Sequence, residues 1–458
     1  MALSSSSSLH RPICPNGIFG SSSSSNYCHF VKWSPKSCAS SFKLRGLSTA
    51  TATTAIQAVQ NQDSPGPWLM LPPEYEDGEI SYKECKTGLR QLGKMTYKFY
   101  SLFDNKLQTP CFDDEVIRDL PLVCRGSSHG WLALLGPRNE GFFLYNPITR
   151  RHIMLPSIFN LPKLSGDDIL RTTSSTDWRD VQKLILTCSP DEDEENCRAV
   201  MINGFGNMLA FCCPGKSKEW TTMMRDEEER GNRFYDDCVY SASRKLLYGL
   251  TKSTELGVCD GLEIWDLVDP SSPKLIKVDK PDYCPAFELS LWWFCSPWEY
   301  LVVAGEDLLL VVQYTTDVGQ DGSCTKINQR PLPDNLSPKT VRFDVFKHNP
   351  KKGRFKFVDS LSSLGGLAIF VGQHHDSVAI PASRFPELKS DSIYFTDGDW
   401  EGPLDCHNLY KYDDERVGDR DIGIYNYKDK TVSQCYYPCD KTDVKKTTPI
   451  WFFPSRTI

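Results

Sequence analysis

From about Pro67 onward, apolar and aromatic residues come in short runs broken by clusters of Pro, Gly, Asn and Asp. Runs of about four to eight residues with turn chemistry between them predict β-strands. Helix-period segments are scarce. Residues 82–93 are the candidate for one short helix, and 225–230 read as a charged loop or turn.

One pattern recurs. An aromatic or apolar strand runs into a polar turn, and a second strand follows, at 99–106, 142–151, 208–216, 262–270, 341–350 and 422–429. Anchored on Tyr100, Tyr145, Cys212, Trp265, Phe346 and Tyr425, the copies stand 45, 67, 53, 81 and 79 residues apart. Alternation within each strand turns one face to a core, and Asn-Pro or Asp-Pro supplies the turn. Most copies follow another strand-like run, at 130–135, 183–188, 245–250 and 300–312. Four strands per repeat are the content of a propeller blade. The period is longer and looser than the standard propeller repeats of roughly 40–50 residues. The expected fold is all-β: a β-propeller of about six irregular blades over 63–458, with a paired β-sandwich or meander as the alternative.

Charge changes the picture at the N-terminus. Residues 1–62 contain no Asp or Glu, although 59 of the 458 residues are acidic; at that frequency about eight are expected. The same stretch carries Arg11, Lys32, Lys36, Lys43 and Arg45 and two runs of five serines. Basic, Ser-rich and acid-free is the composition of an organellar transit peptide, whereas a secretory signal needs an apolar core. A disordered Ser-rich tail is the alternative. The segment Arg45-Gly-Leu-Ser-Thr49 places cleavage between Leu47 and Ser48 and points to the mitochondrion, while the Met-Ala start and the Ser runs point to the chloroplast. Cleavage there removes five of the 52 basic residues and no acid, leaving 47 against 59, a net charge of −12. That balance argues against binding to phosphate backbones, so no nucleic-acid partner is expected. The longest apolar stretch, 300–312, is broken by Glu306 and Asp307, so no membrane span is expected.

Two blocks resemble a known family. One is Cys124-Arg-Gly-Ser-Ser-His-Gly-Trp-Leu-Ala-Leu followed by Phe143-Leu-Tyr-Asn-Pro-Ile-Thr-Arg-Arg-His-Ile-Met-Leu-Pro156. The other is Leu364-Gly-Gly-Leu-Ala-Ile-Phe-Val-Gly, continuing to Phe385-Pro-Glu-Leu-Lys-Ser-Asp-Ser-Ile-Tyr-Phe-Thr-Asp397. Together they resemble the plant domain of unknown function 295, the C-terminal half of many F-box proteins, which has a branch carrying organellar presequences. The likeness runs from about Trp68 to Phe453. It implies structural roles for Gly126, Gly130, Trp131, Asn146, Pro147, Pro156 and Phe395. Where F-box members carry a helical box after a Leu-Pro pair, this chain continues Leu71-Pro-Pro-Glu-Tyr-Glu-Asp-Gly without a Leu/Ile-rich helix. The organellar branch is therefore the nearer likeness.

Residues capable of chemistry are scattered. His374-His375-Asp376 offers metal-ligand atoms, but neighbours on a strand point to opposite faces, so a polar turn between Val371 and Val378 is the simpler reading. His129 is read as capping the turn before Trp131. The chain has no Cys-x-x-Cys; Cys212-Cys213 and Cys435-x3-Cys439 come nearest, the latter a minor redox candidate. The acidic run 191–195 and the basic stretch 347–356 read as solvated turns. Asp397-Gly-Asp-Trp-Glu401 has closely spaced carboxylates but not the ligand offsets of a calcium loop. Trp292, Trp293 and Trp298 lack the basic interleaving of a base-stacking platform and are expected in a blade core. No nucleophile elbow, phosphate loop or paired-His helix is present, so no catalytic, cofactor or metal residue is assigned. The expected function is non-catalytic binding of a protein partner in an organelle. The alternatives are an F-box-type receptor and a propeller hydrolase.

Overall fold

The computed structural model describes residues 66–71, 74–75, 95–104, 106–108, 122–136, 141–158, 161, 181–203, 208–223, 233–253, 259–269, 273–280, 295–318, 337–359, 363–396, 421–434 and 449–454, all within the unit Leu47–Ile458. The expected transit peptide with its cleavage point at Leu47 and Ser48, the helix at 82–93 and the loop at 225–230 lie outside them.

The described chain is mostly strand joined by turns, with a short 3-10 helix at Ala382–Arg384. It opens with β1 (Trp68–Met70), the small hairpin of β2 (Glu74–Tyr75) and β3 (Met95–Thr96), then β4 (Phe99–Ser101) and β5 (Lys106–Gln108). Blade 2 follows as β6 (Val123–Ser128), β7 (Trp131–Leu135), β8 (Phe142–Tyr145) and β9 (His152–Met154). Blade 3 holds β10 (Val181–Leu186), β11 (Ala199–Asn203), β12 (Met208–Cys212) and β13 (Thr221–Met223). Blade 4 holds β14 (Arg233–Ser241), β15 (Leu246–Ser253), β16 (Cys259–Asp266) and β17 (Lys274–Asp279). Blade 5 holds β18 (Ser296–Ala304), β19 (Asp307–Val318), β20 (Ser337–Asn349) and β21 (Arg354–Phe357). Blade 6 holds β22 (Leu367–Val371), β23 (Val378–Pro381), β24 (Ser392–Phe395), β25 (Gly423–Asn426) and β26 (Thr431–Gln434). The last strand, β27 (Ile450–Phe452), returns to pair antiparallel with β1 and completes blade 1 in the order β27-β1-β4-β5.

Blades 1 to 5 are antiparallel meanders. Blade 6 departs from that plan: β22 is antiparallel to β23 but parallel to β24. The extra strand β23 touches β18 of blade 5 through the single parallel pair Val303–Val378, fusing two blades into one nine-stranded sheet.

What makes this a ring is the packing. Each buried apolar cluster of the described residues lies between two successive blades. Leu132, Leu134 and Tyr145 of blade 2 meet Met70, Phe99 and Phe452 of blade 1, while Trp131, Ala133 and Leu135 meet Leu184, Leu186 and Met201 of blade 3. Further clusters join blades 3 and 4, 4 and 5, and 5 and 6. The sixth returns to the start, packing Phe370 and Tyr394 of blade 6 against Leu69, Tyr100 and Trp451 of blade 1. Alternate residues of one strand thus feed two different cores, so Trp131–Leu135 is buried at every position. The sequence-based expectation of one core face per strand is corrected accordingly: a blade inside a ring has a neighbour on each side.

The six recurrent segments are the outer hairpins of the six blades. Four of their turns share a device: Asn146, Asn349 and Asn426 each accept two backbone N–H bonds on the side-chain Oδ1, and Asp266 accepts one. The segment 300–312 is not one strand but the turn from β18 to β19, with Gly305 at φ +60° and the two acids beside it.

Candidate functional site

The inner strands of blades 2 to 5 carry charges within apolar sequence. Lys183 sits in Val181–Leu186, Asp237 in β14, Arg125 in β6 and Glu299 in β18, all buried. Backbone irregularities beside Lys183 and Asp237 interrupt the ladder register. Lys183 Nζ donates to Asp237 Oδ1 at 2.5 Å, and the Leu301 N–H donates to Asp237 Oδ2 at 2.7 Å. One carboxylate therefore ties blades 3, 4 and 5 together at their inner edges. Burial pushes the Lys183 ammonium down, but Asp237, Cys238 and Asp376 outweigh it and hold the pKa above the usual lysine value.

The turn between β22 and β23 enters this cluster from blade 6. The Asp376 N–H donates to Ser127 O at 2.9 Å, and Ser128 Oγ donates to Asp376 Oδ2 at 3.1 Å. Ser128 Oγ also accepts the Leu186 N–H at 3.1 Å. Arg125 Nη1 donates to His374 Nε2 at 3.2 Å. Because a guanidinium only donates, His374 carries its hydrogen on Nδ1, which donates to Gln182 O at 2.7 Å. Blades 6 and 3 face each other in a ring of six, so through His374 and Asp376 this turn reaches across the ring to blades 2 and 3.

The turn itself is tightly built. A Cβ on Gly372 would stand 2.3 Å from Thr396 Oγ1 and 2.4 Å from His375 Nε2. His375 is fully enclosed, and burial lowers its pKa to about 3, so the ring is neutral. Burial raises Asp376 to about 6, opposed by Lys183 and the Ser128 hydrogen bond. A second buried group lies nearby: Lys252 Nζ is 2.7 Å from Asp236 Oδ2 and 3.4 Å from Glu299 Oε2. Burial lifts Glu299 to about 7 against the pull of Lys252.

The three neighbours His374, His375 and Asp376 therefore point to different partners. Among the described residues no group of three or more His, Cys, Asp and Glu stands where it could hold a metal ion. They do form the expected polar turn, with His374 and His375 buried in it.

The motif residues occupy structural positions. Gly126 lies where β6 meets β10; a Cβ there would be 2.3 Å from Leu184 O. Gly130, at φ +77°, makes the turn from β6 to β7 beside His129 at φ +50°. Trp131 is fully buried, with the Arg151 guanidinium 5.8 Å from its ring centroid. Asn146 begins the Asx turn and donates to Asp191 Oδ2 at 3.0 Å; Pro147 beside it is buried. Pro156 offers its carbonyl to Trp220 Nε1 of blade 3 at 2.9 Å. Phe395 is fully buried, 5.4 Å from Phe343 between ring centroids.

Other candidates disperse. The acidic run 191–195 is not merely solvated, since Arg151 of blade 2 binds Asp191 at 3.1 Å and Glu194 at 2.5 Å. Within 347–356, Lys347 pairs with Asp307 at 2.6 Å and Lys351 and Lys352 form an exposed turn. Trp298 is half-buried against the core between blades 5 and 6. Trp292, Trp293, Cys435, Cys439 and the acids at 397–401 lie outside the described residues. Among the described residues no helix is long and apolar enough to cross a membrane. The axial cluster escaped sequence reading because its members are far apart in the chain. Its available signal was an isolated charge at an apolar strand position, which must find a partner when buried.

Six blades, six shared cores and a terminal strand closing the ring define a β-propeller. The KIB1-4 beta-propeller family model matches residues 99–426, and the chain belongs to that family, a plant β-propeller type. No curated protein matches the chain. Solved structures are similar only in part. A Lactobacillus plantarum protein is 8% identical, covering 64% of this chain and 81% of its own, with TM-score 0.31. The Swd1 β-propeller domain of Myceliophteria thermophila is 10% identical over 58% and 79%, with TM-score 0.27. The periplasmic gluconolactonase of Pseudomonas aeruginosa is 11% identical over 60% and 79%, with TM-score 0.26.

Proposed function

We propose that this chain is a non-catalytic propeller that binds a protein partner inside an organelle, the mitochondrion first and the chloroplast as the alternative. The observation carrying the reading is the blade 6 turn that bonds across the ring to blades 2 and 3. Propeller enzymes gather reactive groups where inner strands converge. Here that place holds the chain's own turn, and Lys183, Asp237, Ser128 and Asp376 bind one another. Surface strands and loops are then the parts left to meet a partner. The acid-free, basic N-terminus supports the organellar address.

The test is full-length protein with a C-terminal fluorescent tag in plant cells, imaged against mitochondrial and plastid markers. N-terminal sequencing and cross-linked affinity recovery complete it. Organellar signal, a new N-terminus near Ser48 and a recovered protein partner are the expected results. Turnover of a small molecule by the purified protein, lost in Asp376→Asn or Glu299→Gln, would contradict the non-catalytic part. A second reading, an F-box-type receptor of a ubiquitin ligase, draws on the resemblance to F-box-associated proteins. It requires an intact N-terminus and a co-purifying ligase adaptor.

A further inference from the structure

The hairpin between β10 and β11 carries two cysteines in register. Leu186 pairs with Ala199, and the next pair is held by the Thr187 N–H donating to Arg198 O at 2.9 Å, with the Arg198 N–H donating to Thr187 Oγ1 at 2.9 Å. One step further, Cys188 stands directly across from Cys197. That position follows a hydrogen-bonded pair and is therefore the close, non-hydrogen-bonded kind, with Cα atoms typically about 4.5 Å apart. Disulfides bridge Cα separations of about 4.4–6.8 Å. Both side chains point the same way: Cys197 belongs to the core between blades 2 and 3, and Cys188 packs against it. Both are free thiols in the structure, with Cys197 Sγ donating to Cys188 O at 3.2 Å.

We propose that Cys188 and Cys197 form a redox modification site, a cross-strand dithiol that closes to a disulfide by exchange with a small-molecule or protein disulfide. Cys188 is the partly exposed member and attacks first; Cys197 is enclosed and resolves. In the first step the Cys188 thiolate forms a bond to one sulfur of the incoming disulfide and expels the other as a thiolate. In the second, the Cys197 sulfur attacks Cys188 Sγ, its proton leaves with the second expelled thiol, and the intramolecular bond forms. Two protein thiols lose two electrons, and one external disulfide is reduced to two thiols.

The electrostatics agree with that order. The side-chain interaction between the two thiols pulls Cys188 below its ordinary value against the opposing effect of burial. The same thiol–thiol interaction, with burial, holds Cys197 well above it, against the smaller opposing effect of its bond to the Cys188 carbonyl. The ring so closed contains the acidic tip whose Asp191 and Glu194 grip Arg151 of blade 2. Oxidation therefore fastens the segment that clasps two blades.

Trypsin cutting after Lys183 and Arg198 leaves both cysteines in one peptide, 184–198. The full chain is incubated folded with oxidised glutathione, then alkylated under denaturing conditions and digested. The expected product is that peptide two hydrogens lighter and unalkylated, restored to the doubly alkylated form by prior reduction. In Cys197→Ser, Cys188 is expected to stop as the mixed disulfide with glutathione. A doubly alkylated peptide from oxidised wild-type protein, with folding verified by circular dichroism, would overturn the proposal. That wild-type readout decides the matter even where the variant does not fold.

Discussion

At Gly126 the absence of a side chain is the structural feature. An added Cβ would lie 2.3 Å from a backbone oxygen, which cannot rotate aside as a side chain would. Gly126→Ala therefore forces apart the inner strands of blades 2 and 3. Its expected cost is about 3 kcal/mol, the upper part of the usual overpacking range, measured by denaturant unfolding. Glu299 gives a pH-dependent expectation. Its folded pKa of about 7 exceeds the ordinary 4.5 because burial disfavours the charge. Between those values the folded chain holds a proton that the unfolded chain has released, so this group's contribution to stability falls as pH rises from about 5 to about 7. Glu299→Gln removes the titration. Relative to wild type, the variant is expected to gain roughly 3 kcal/mol across that window, read from unfolding at several pH values. A pH-independent difference between the two proteins would contradict the assignment. Little of this was legible in the sequence. Gly126 was picked out by family resemblance, but nothing near position 126 says that Leu184 lies against it. Glu299 looked like any acid beside an aromatic.

At the scale of the element, the outer hairpins were the readable part. Their signal is local: aromatic residues at strand spacing, followed by Asn or Asp whose side chain closes the turn. Asn349→Ala removes the Oδ1 that accepts the Lys351 and Lys352 N–H groups. At that exposed turn the expected loss is about 1 kcal/mol, measured as a shift in unfolding midpoint. The turn 372–377 was legible as a polar turn but its partners were not, because burial depends on which strands come to face it. Blade 6 was hidden for a related reason. Its parallel pair β22–β24, with β23 as an extra inner strand, follows from a crossover that strand periodicity does not encode.

For the whole molecule, closure depends on three residues at the end of the described chain. β27 pairs with β1 through Leu69–Trp451, and Trp451 and Phe452 enter the cores on either side of blade 1. Ending the chain at residue 448 exposes those cores and opens a strand edge. The truncated protein is expected to lose cooperative unfolding and to aggregate, followed by calorimetry and size-exclusion chromatography. The functional reading rests on the chain's own turn bridging from blade 6 to blades 2 and 3. Hydrogen exchange of folded protein, read by mass spectrometry on peptides covering 372–377, tests it most directly. The Asp376 N–H donates to Ser127 O, and its neighbours are enclosed. Those amides are expected to exchange as slowly as the blade 2 inner strand Val123–Ser128. Exchange within seconds, at the rate of an exposed turn, would contradict the bridging turn and the functional reading built on it.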